Sequence, residues 1–486
     1  MKLKNMNFLR KSIYLFSSLV FCPQIMLAQK KIPVKPNILF ILIDDLGKEW
    51  ISTYGAENIE TPVFDSLSKT GIAFTNCYSM PQSTPSRVCL LTGQYPYRNG
   101  WVNHWDVPRW GAGAHFDETC NPSIPDMIRK SGYVTAVAGK WQLDDFRVEP
   151  DAMNRVGFDE YCMWTGYETG VPESKNRYWD PYIHTKSGSK IYQGGFGEDI
   201  FSNFLIDFMR KHGKGDKPMF MYYPMCLAHT PLTSTPHEPN VKGKMECHKA
   251  MVRYVDYTIG KLVYELEHLG LRENTVIVVT TDNGTSGNII GKRNGMDIVG
   301  GKSKTTEAGI NVPLVISCPS FIDQNVITDV LVDFTDFFPT FAEMAEAKLL
   351  EEYIYDGKSF YPYLKGETDY IPRSWIMGMG GHNNAKVSKK GVENQHVFRD
   401  RVIRDKQYKL YISPKKEPVK LFDLLKDPYE KNNIIGEDEM ASVIEKLQLP
   451  LESMFKQDSD PTYYPNSAQE WDIQVSVESQ TWKINY

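Results

Sequence analysis

The segment 37–45 reads Asn-Ile-Leu-Phe-Ile-Leu-Ile-Asp-Asp, a run of large apolar side chains that ends in Asp44 and Asp45. A short and nearly continuous apolar run is typical of a parallel β-strand that is buried on both faces. Apolar stretches at 134–138, 219–223 and 276–281 have the same form, and each is followed by a polar cluster. This pattern predicts an α/β protein whose functional residues lie at the carboxyl ends of parallel strands.

Oxygen ligands follow two of these strands, because Asp44 and Asp45 end the first and Asp282 and Asn283 end the fourth. Carboxylate and amide oxygens select Ca²⁺ or Mg²⁺ over softer metals. One such pair alone is more often a turn, since Asp and Asn bond to their own backbone there. Two pairs at equivalent strand ends favour a metal site.

The segment 83–93 reads Ser-Thr-Pro-Ser-Arg-Val-Cys-Leu-Leu-Thr-Gly. Its apolar residues 88–91 predict the beginning of a helix whose positive end faces Ser83, and Arg87 offers a guanidinium fork to oxygen atoms. The alternative interpretation makes Ser83 or Ser86 an N-cap of that helix.

This segment resembles the signature of the sulfatase family, in which Cys or Ser is followed by x-Pro-x-Arg and later by Thr-Gly. The resemblance implies that a maturation enzyme oxidises Ser83 to formylglycine (3-oxoalanine), whose hydrated aldehyde is the nucleophile and forms a covalent sulfo-enzyme. A plain serine would be left as a stable alkyl sulfate, whereas a gem-diol expels sulfate by re-forming its carbonyl. Arg87 would contact the oxygens of the hydrated aldehyde.

Other segments carry the same resemblance. Residues 138–143 resemble the family's Gly-Lys-Trp-His-Leu segment, and residues 300–313 resemble its Gly-Lys-x-x-Thr-x-Glu segment. The resemblance therefore implies that Lys140 and Lys302 hold sulfate. The alternative for a lysine is an exposed position on the surface. His229 resembles the histidine of a His-x-Pro loop and would protonate the leaving oxygen or hold sulfate. The resemblance further implies one Ca²⁺, held by Asp44, Asp45, Asp282, Asn283 and the side-chain oxygen of residue 83.

Gln142 departs from the family pattern, which commonly has a histidine at this position. A glutamine donates and accepts hydrogen bonds, but it does not take up a proton at neutral pH. Three explanations stay open: hydrogen bonding alone suffices, another base such as His104 or His115 replaces the histidine, or turnover is slow.

An aromatic and basic loop between the signature and Lys140 is a candidate substrate site together with Gln142. Tryptophan faces stack on sugar rings and cationic or imidazole groups bind hydroxyls, so a carbohydrate subsite is one interpretation. A packed loop with buried aromatics is the other. The residues concerned are Trp101, His104, Trp105, Arg109, Trp110 and His115.

The resemblance implies a sulfuric ester hydrolase. Exported sulfatases with an encoded serine resemble those of glycan-degrading bacteria, so the expected substrate is a sulfated carbohydrate and the expected action exo-type. The alternatives are a phosphodiesterase or phosphonate hydrolase of the same superfamily, and an inactive relative that binds sulfated glycans. The net charge of −5 gives no indication of a nucleic-acid partner.

The expected architecture is an α/β sandwich of alkaline-phosphatase type, with a large mixed, mostly parallel sheet flanked by helices. Residues 29–372 would form this catalytic domain, in which 251–269 and 332–345 have helical spacing. Short alternating strands at 402–404 and 408–411 predict a smaller C-terminal α+β subdomain, residues 373–486, with a short antiparallel sheet.

Residues 1–28 have the form of a signal peptide, with basic residues before an apolar run and Ala28 as a plausible cleavage point. The apolar run is too short for a membrane span. The expectation is an exported protein, periplasmic in the first place and secreted or lipid-anchored through Cys22 as alternatives. A formylglycine-generating maturase is the implied protein partner.

Overall fold

The computed structural model describes residues 35–103, 115–147, 149–166, 168, 171–382, 386–388, 391–393 and 397–457. The predicted signal peptide lies outside these residues. The strands of the described chain are β1 Asn37–Ile43, β2 Ile72–Tyr78, β3 Val134–Lys140, β4 Glu160–Trp164, β5 Tyr182–Thr185, β6 Gly188–Ile191, β7 Met219–Pro224, β8 Thr275–Thr281, β9 Ile290–Arg293, β10 Met296–Val299, β11 Asn311–Ser317, β12 Val326–Asp333, β13 Ile376–Met379, β14 Lys386–Ser388, β15 Gly391–Glu393, β16 Arg401–Arg404, β17 Tyr408–Ile412 and β18 Pro418–Asp423.

A 10-stranded sheet in the order β12-β2-β11-β8-β1-β7-β3-β4-β5-β6 forms the centre of the protein. Strands β8, β1, β7, β3 and β4 are mutually parallel, and β11 and β5 pair antiparallel with their neighbours. The sheet is therefore mixed and mostly parallel, as the sequence predicts. The apolar runs at 37–43, 134–138, 219–223 and 276–281 all lie in its strands.

Helices cover both faces of this sheet. They are α1 Pro62–Lys69, α2 Ser83–Thr92, α3 Pro96–Asn99, α4 Ile124–Lys130, α5 Ala152–Val156, α6 Gly197–His212, α7 Lys244–His268, α8 Glu307–Ile310, α9 Phe337–Met344, α10 Tyr361–Leu364 and α11 Ala441–Gln457.

The alternation of β1 shows how the core is divided. Ile38, Phe40 and Leu42 pack into one apolar cluster with residues of α2, α4 and α9, whereas the intervening residues pack into another with α1, α6 and α7. Successive side chains of a strand point to opposite faces, so an uninterrupted apolar run is what a sheet covered on both faces requires.

Two helix predictions were wrong in their boundaries. The helix predicted from Val332 begins at Phe337, because 326–333 extend the sheet as β12, parallel to β2. A capping box between Asp333 and Asp336 ends the strand and starts the next turn. The signature helix begins at Ser83 rather than near Val88, and Gln82 occupies its N-cap position.

A second, antiparallel sheet in the order β13-β16-β17-β18 follows the main sheet in sequence. Leu447 and Leu451 of α11 belong to the same apolar cluster as Ile403 and Leu410 of this sheet. The small C-terminal sheet confirms the predicted architecture, while the domain boundary at 372/373 stays a prediction. In the described part of the chain no helix is both long and apolar enough to cross a membrane.

Candidate active site

The site is built around the end of β1. The backbone N–H of Asp44 donates to the Leu227 carbonyl at 2.8 Å, and the N–H of Ala228 donates back to the Asp44 carbonyl at 2.8 Å, so the segment after β7 clamps this residue. Asp45 adopts a left-handed conformation with φ 58°. Its N–H donates to Asp282 Oδ1 at 3.1 Å. The chain therefore turns sharply at the sheet edge, and both carboxylates stay buried.

The end of β8 supplies the remaining oxygens. Asn283 Nδ2 donates to Asp45 Oδ1 at 2.7 Å, and the Asp282 N–H donates to the Ile43 carbonyl at 2.9 Å. Asp282 and Asn283 are fully buried. The structure thus brings together the four residues that the sequence selects as a possible metal site.

Ser83 joins this group as the first residue of α2. Its hydroxyl lies 3.1 Å from Asp44 Oδ1 and 3.3 Å from Asn283 Oδ1. The N-cap interpretation was wrong for both serines: the Ser83 hydroxyl faces the carboxylates, and Ser86 bonds to the backbone of Met80. The positive end of α2 therefore points at the acidic cluster.

Three cations balance the buried carboxylates. Lys140 Nζ lies 2.6 Å from Asp44 Oδ2, and Lys302 Nζ lies 2.6 Å from Asp45 Oδ2. Arg87 Nη2 lies 2.8 Å from Asp282 Oδ2. The side chains of Lys140 and Arg87 are almost fully buried, so the surface-lysine alternative does not apply to Lys140. Lys302 is partly exposed, with 23% of its side chain accessible.

These neighbours set the protonation of the carboxylates. Burial alone would raise the pKa of Asp44, but the adjacent cations, Lys140 first, hold that pKa well below its usual range. The pKa of Asp45 is lowered in the same way against burial, chiefly by Lys302. Burial and the charge of Asp44 together raise the pKa of Asp282 to about 7. Burial also lowers the pKa of Lys140.

His229 lies on the outer side of this cluster. Its Nε2 is 3.6 Å from Asp45 Oδ2, and its Nδ1 is 2.6 Å from the Thr230 carbonyl. A nitrogen this close to a carbonyl oxygen must carry the proton, which leaves Nε2 directed toward the cluster. Burial lowers the pKa of His229 to about 4, so the imidazole is neutral at neutral pH before substrate binds.

Gln142 follows β3, two residues after Lys140, in a left-handed conformation with φ 64°. Its N–H donates to the Thr165 carbonyl at 2.8 Å, and its side chain passes Gly166, where a Cβ would lie 3.1 Å from Gln142 Cγ. Among the described residues its side-chain amide has no hydrogen-bond partner. The amide is therefore available to a ligand.

The other predicted substrate residues divide into two groups. His115 is buried in a separate cluster, in contact with Glu149 and 3.3 Å from Asp144 Oδ1. Burial would lower its pKa, but these two carboxylates raise it to about 9, so His115 is protonated at neutral pH and does not supply the base that Gln142 lacks. His104, Trp105, Arg109 and Trp110 lie outside the described residues. Trp101 is fully buried against Phe116, which supports the packed-loop interpretation for that side chain.

One residue at the site has no motif in the sequence. Arg177 Nη1 lies 3.2 Å from His229 Nδ1, and the guanidinium stacks on Trp164 with its carbon 3.9 Å from the ring centroid. Residues 176–179 read Asn-Arg-Tyr-Trp and follow no apolar strand. Only folding places this arginine beside the cluster.

The arrangement is suited to a tetrahedral anion that carries a leaving group. A hydroxyl at a helix N-terminus faces hard oxygen ligands, while ammonium and guanidinium groups surround it. The imidazole of His229 stands at the outer edge, where a leaving oxygen would be protonated.

Comparisons with known proteins agree with this chemistry. Residues 36–347 match the family model described as Sulfatase, and residues 302–457 match the model described as N-sulphoglucosamine sulphohydrolase, C-terminal. The chain is 29% identical over 491 residues to an N-acetylgalactosamine-6-O-sulfatase of Bacteroides thetaiotaomicron, covering 86% of this chain and 93% of that protein. It is 27% identical over 449 residues to an ulvan-active sulfatase of Formosa agariphila, covering 87% and 81%.

Solved structures give the same result for the fold. The crystal structure of Ps i-CgsB superposes with a TM-score of 0.73 at 25% identity, covering 88% of this chain and 94% of that chain. A structure of a protein in complex with its substrate D-glucosamine-2-N,6-O-disulfate superposes with a TM-score of 0.70 at 23% identity, covering 88% and 99%.

Proposed function

Starting from the fact that this chain belongs to the sulfatase family and is a sulfuric ester hydrolase, we propose that it removes sulfate from the terminal sugar of a sulfated glycan. The N-acetylgalactosamine-6-O-sulfatase and the ulvan-active sulfatase, similar over most of this chain, support a carbohydrate substrate. The observation that carries the proposal is the Ser83 hydroxyl, held at hydrogen-bond distance from Asp44 and Asn283 within a ring of cations.

Ser83 is the residue that would be converted to formylglycine by a maturase. The position fits this group, because the side chain of Ser83 is buried and directed at charged partners rather than at its own helix. When present, formylglycine supplies a hydrated aldehyde with one oxygen to attack and a second to expel sulfate. Lys140 holds Asp44, the carboxylate that the Ser83 hydroxyl contacts, and Arg87 holds the neighbouring Asp282.

The oxygen set at the ends of β1 and β8 fits one Ca²⁺. It contains carboxylate and amide oxygens and no thiolate, and the ligand atoms of Asp44, Asp45 and His229 lie within 4.8 Å of one another. Asp44, Asp45, Asp282 and Asn283 would hold the ion together with the oxygen of residue 83. When bound, the ion supplies positive charge to a sulfate oxygen.

The remaining residues bind the sulfate and the leaving group. Lys302 and Lys140 reach the cluster with ammonium groups, which are point charges that hold an anion and release it. His229 would donate to the bridging oxygen from Nε2 once an anion beside it has raised its pKa. Gln142 offers an amide that has no partner within the described chain, so it can hydrogen-bond residue 83 but not accept its proton.

The chain is expected to work outside the cytoplasm, in the periplasm, because residues 1–28 have the form of a signal peptide. Fractionation of the native host with an antibody against the mature protein tests this. Recovery in the cytoplasmic fraction would refute export.

The test of function is sulfate release from 6-sulfated N-acetylhexosamines, measured on enzyme produced together with a serine-type maturase. Wild type is expected to release sulfate, and Ser83→Ala to release none while keeping the wild-type melting temperature. A phosphate diester and a phosphonate ester serve as competing substrates for the phosphodiesterase alternative. Faster hydrolysis of either, or full activity in Ser83→Ala, would refute the proposal.

A further inference from the structure

Arg177 is a buried cation beside the sulfate site. Only 6% of the residue is exposed, and its guanidinium carbon lies over the indole of Trp164, 3.9 Å from the ring centroid. Trp164 is the β4 residue paired with Lys140 of β3, so the stack belongs to the same sheet edge as the cation that contacts Asp44. Stacking fixes the plane of the guanidinium, and therefore the directions in which its N–H groups point.

The guanidinium lacks an acceptor within the described chain. No carboxylate there lies within ion-pair distance of it, and its buried Nε has no hydrogen-bond partner. Among the described residues its one polar contact is His229 Nδ1 at 3.2 Å, and that nitrogen also lies 2.6 Å from the Thr230 carbonyl. Because Nδ1 donates its proton to that carbonyl, it has no lone pair to accept a hydrogen bond from Arg177.

Three other buried arginines of this chain are paired with carboxylates. Arg87 contacts Asp282, Arg98 contacts Asp356, and Arg373 contacts Asp336, with distances of 2.8, 2.7 and 2.9 Å. A buried charge without a counter-ion is costly, and such charges are normally paired or ligand-bound. Arg177 is buried to a similar extent, but no carboxylate of the described chain forms an ion pair with it.

The position of Arg177 defines where its ligand would lie. His229 lies between Asp45 and Arg177, with Nε2 facing Asp45 and Nδ1 facing Arg177. The imidazole ring therefore separates the guanidinium from the carboxylates, whereas the sulfate-binding lysines, Lys140 and Lys302, contact the carboxylates directly. A group bound by Arg177 is therefore adjacent to the scissile sulfate but is not that sulfate.

We propose that Arg177 is a specificity-determining residue that binds a second anionic substituent of the glycan, a sulfate or a carboxylate, next to the sulfate that is removed. This inference rests on the proposed function and narrows its substrate class to glycans with two neighbouring anionic groups. A planar guanidinium binds the oxygens of either anion through two parallel hydrogen bonds.

Substrate pairs that differ in one anion test this inference. A 6-sulfated hexosamine is compared with the same sugar carrying a second sulfate at each other position, and with the same sugar joined to a uronate. For wild type we expect kcat/KM to be about 10- to 100-fold higher for one of these dianionic substrates, the range of a charge-assisted hydrogen bond. A preference for a disulfated sugar would identify the second anion as a sulfate, and a preference for the sugar joined to a uronate would identify it as a carboxylate.

Variants of Arg177 then assign the preference to this residue. Arg177→Gln is expected to remove the preference, so that kcat/KM falls about 10- to 100-fold more for the dianionic substrate than for the monosulfated sugar. Arg177→Lys should retain part of it, because the charge remains and the fork is lost. Arg210→Gln, on the exposed face of α6, is the matched control and should behave as wild type. Melting temperatures show whether each variant is folded.

A binding measurement separates failure of this inference from failure of the proposed function. In Ser83→Ala, calorimetric titration should show tighter binding of the preferred dianionic sugar, and Arg177→Gln in that background should abolish the difference. If wild type releases sulfate from no sugar, the proposed function fails. If wild type shows no preference, or if Arg177→Gln weakens both members of a pair equally, the inference is overturned.

Discussion

Glu198 makes the stability of the active-site segment sensitive to pH. This residue lies in the first turn of α6 and is fully buried. Its carboxylate accepts hydrogen bonds from the Cys226 N–H at 2.7 Å, from the Leu227 N–H at 3.0 Å and from the Tyr223 hydroxyl. Leu227 in turn holds Asp44 through its carbonyl. Glu198 therefore supports the site from outside.

The expected magnitude follows from the pKa of this group. Burial raises the pKa of Glu198 from 4.5 to about 7 against its three donors. Between these two pH values the folded protein binds more proton than the unfolded chain, so the free energy of unfolding falls as pH rises. Ionising the buried Glu198 carboxyl lowers the free energy of unfolding by about 3 kcal/mol, at about 1.4 kcal/mol for each pKa unit. This loss of stability is absent below pH 4.5 and complete above pH 7.

Glu198→Gln removes the charge and keeps the shape. The variant should lose about 1–3 kcal/mol at acidic pH, because the amide cannot satisfy all three donors. Its stability relative to wild type should rise by about 3 kcal/mol between pH 4.5 and pH 7, which cancels or reverses this deficit, because the variant has no buried carboxyl group to ionise. Urea unfolding at pH values from 4.5 to above 7, followed by tryptophan fluorescence, measures the difference between the two proteins.

Glu246→Gln is the matched control, since Glu246 is exposed and its ion pair with Lys249 lies at the surface. Its difference from wild type should not change with pH by more than a few tenths of a kcal/mol. If the free energy of unfolding of Glu198→Gln changes with pH in parallel with that of wild type, ionisation of Glu198 does not lower the stability of the folded protein. That result would refute the reasoning.

Three further predictions concern the catalytic groups. In its native host Ser83 should be about 2 Da lighter than serine because oxidation to the aldehyde removes two hydrogens, and an unmodified residue in active enzyme would contradict this. Chelation should abolish turnover and lower the melting temperature, and Ca²⁺ should restore both, but not in Asp282→Ala; full activity in chelator would exclude the metal site. Because Gln142 cannot accept a proton, matured enzyme should give a burst of desulfated alcohol before a slower steady phase, and Gln142→His should accelerate that phase by up to about 10²–10⁴-fold. No burst together with no acceleration would assign the proton transfer to another group.

Much of the fold was determined by local sequence. The apolar runs that became β1, β3, β7 and β8 are continuous because both faces of those strands are covered, and that requirement is visible without any tertiary contact. The site residues at their ends, among them Asp44 and Asp282, could be selected for the same reason: parallel strands end at one edge of the sheet, so residues far apart in sequence meet there.

Only the tertiary structure decided the rest. The segment 330–333 is apolar enough for helix or strand, and pairing with β2 settled that it extends the sheet. His115 was a candidate base until folding placed it between two carboxylates from a later segment. Arg177 carries no motif. Its contact with Trp164, and its lack of a carboxylate partner among the residues that the structure describes, depend on how separate elements meet. Periodicity is a property of neighbouring residues, whereas protonation and charge pairing depend on what the folded chain brings close in space.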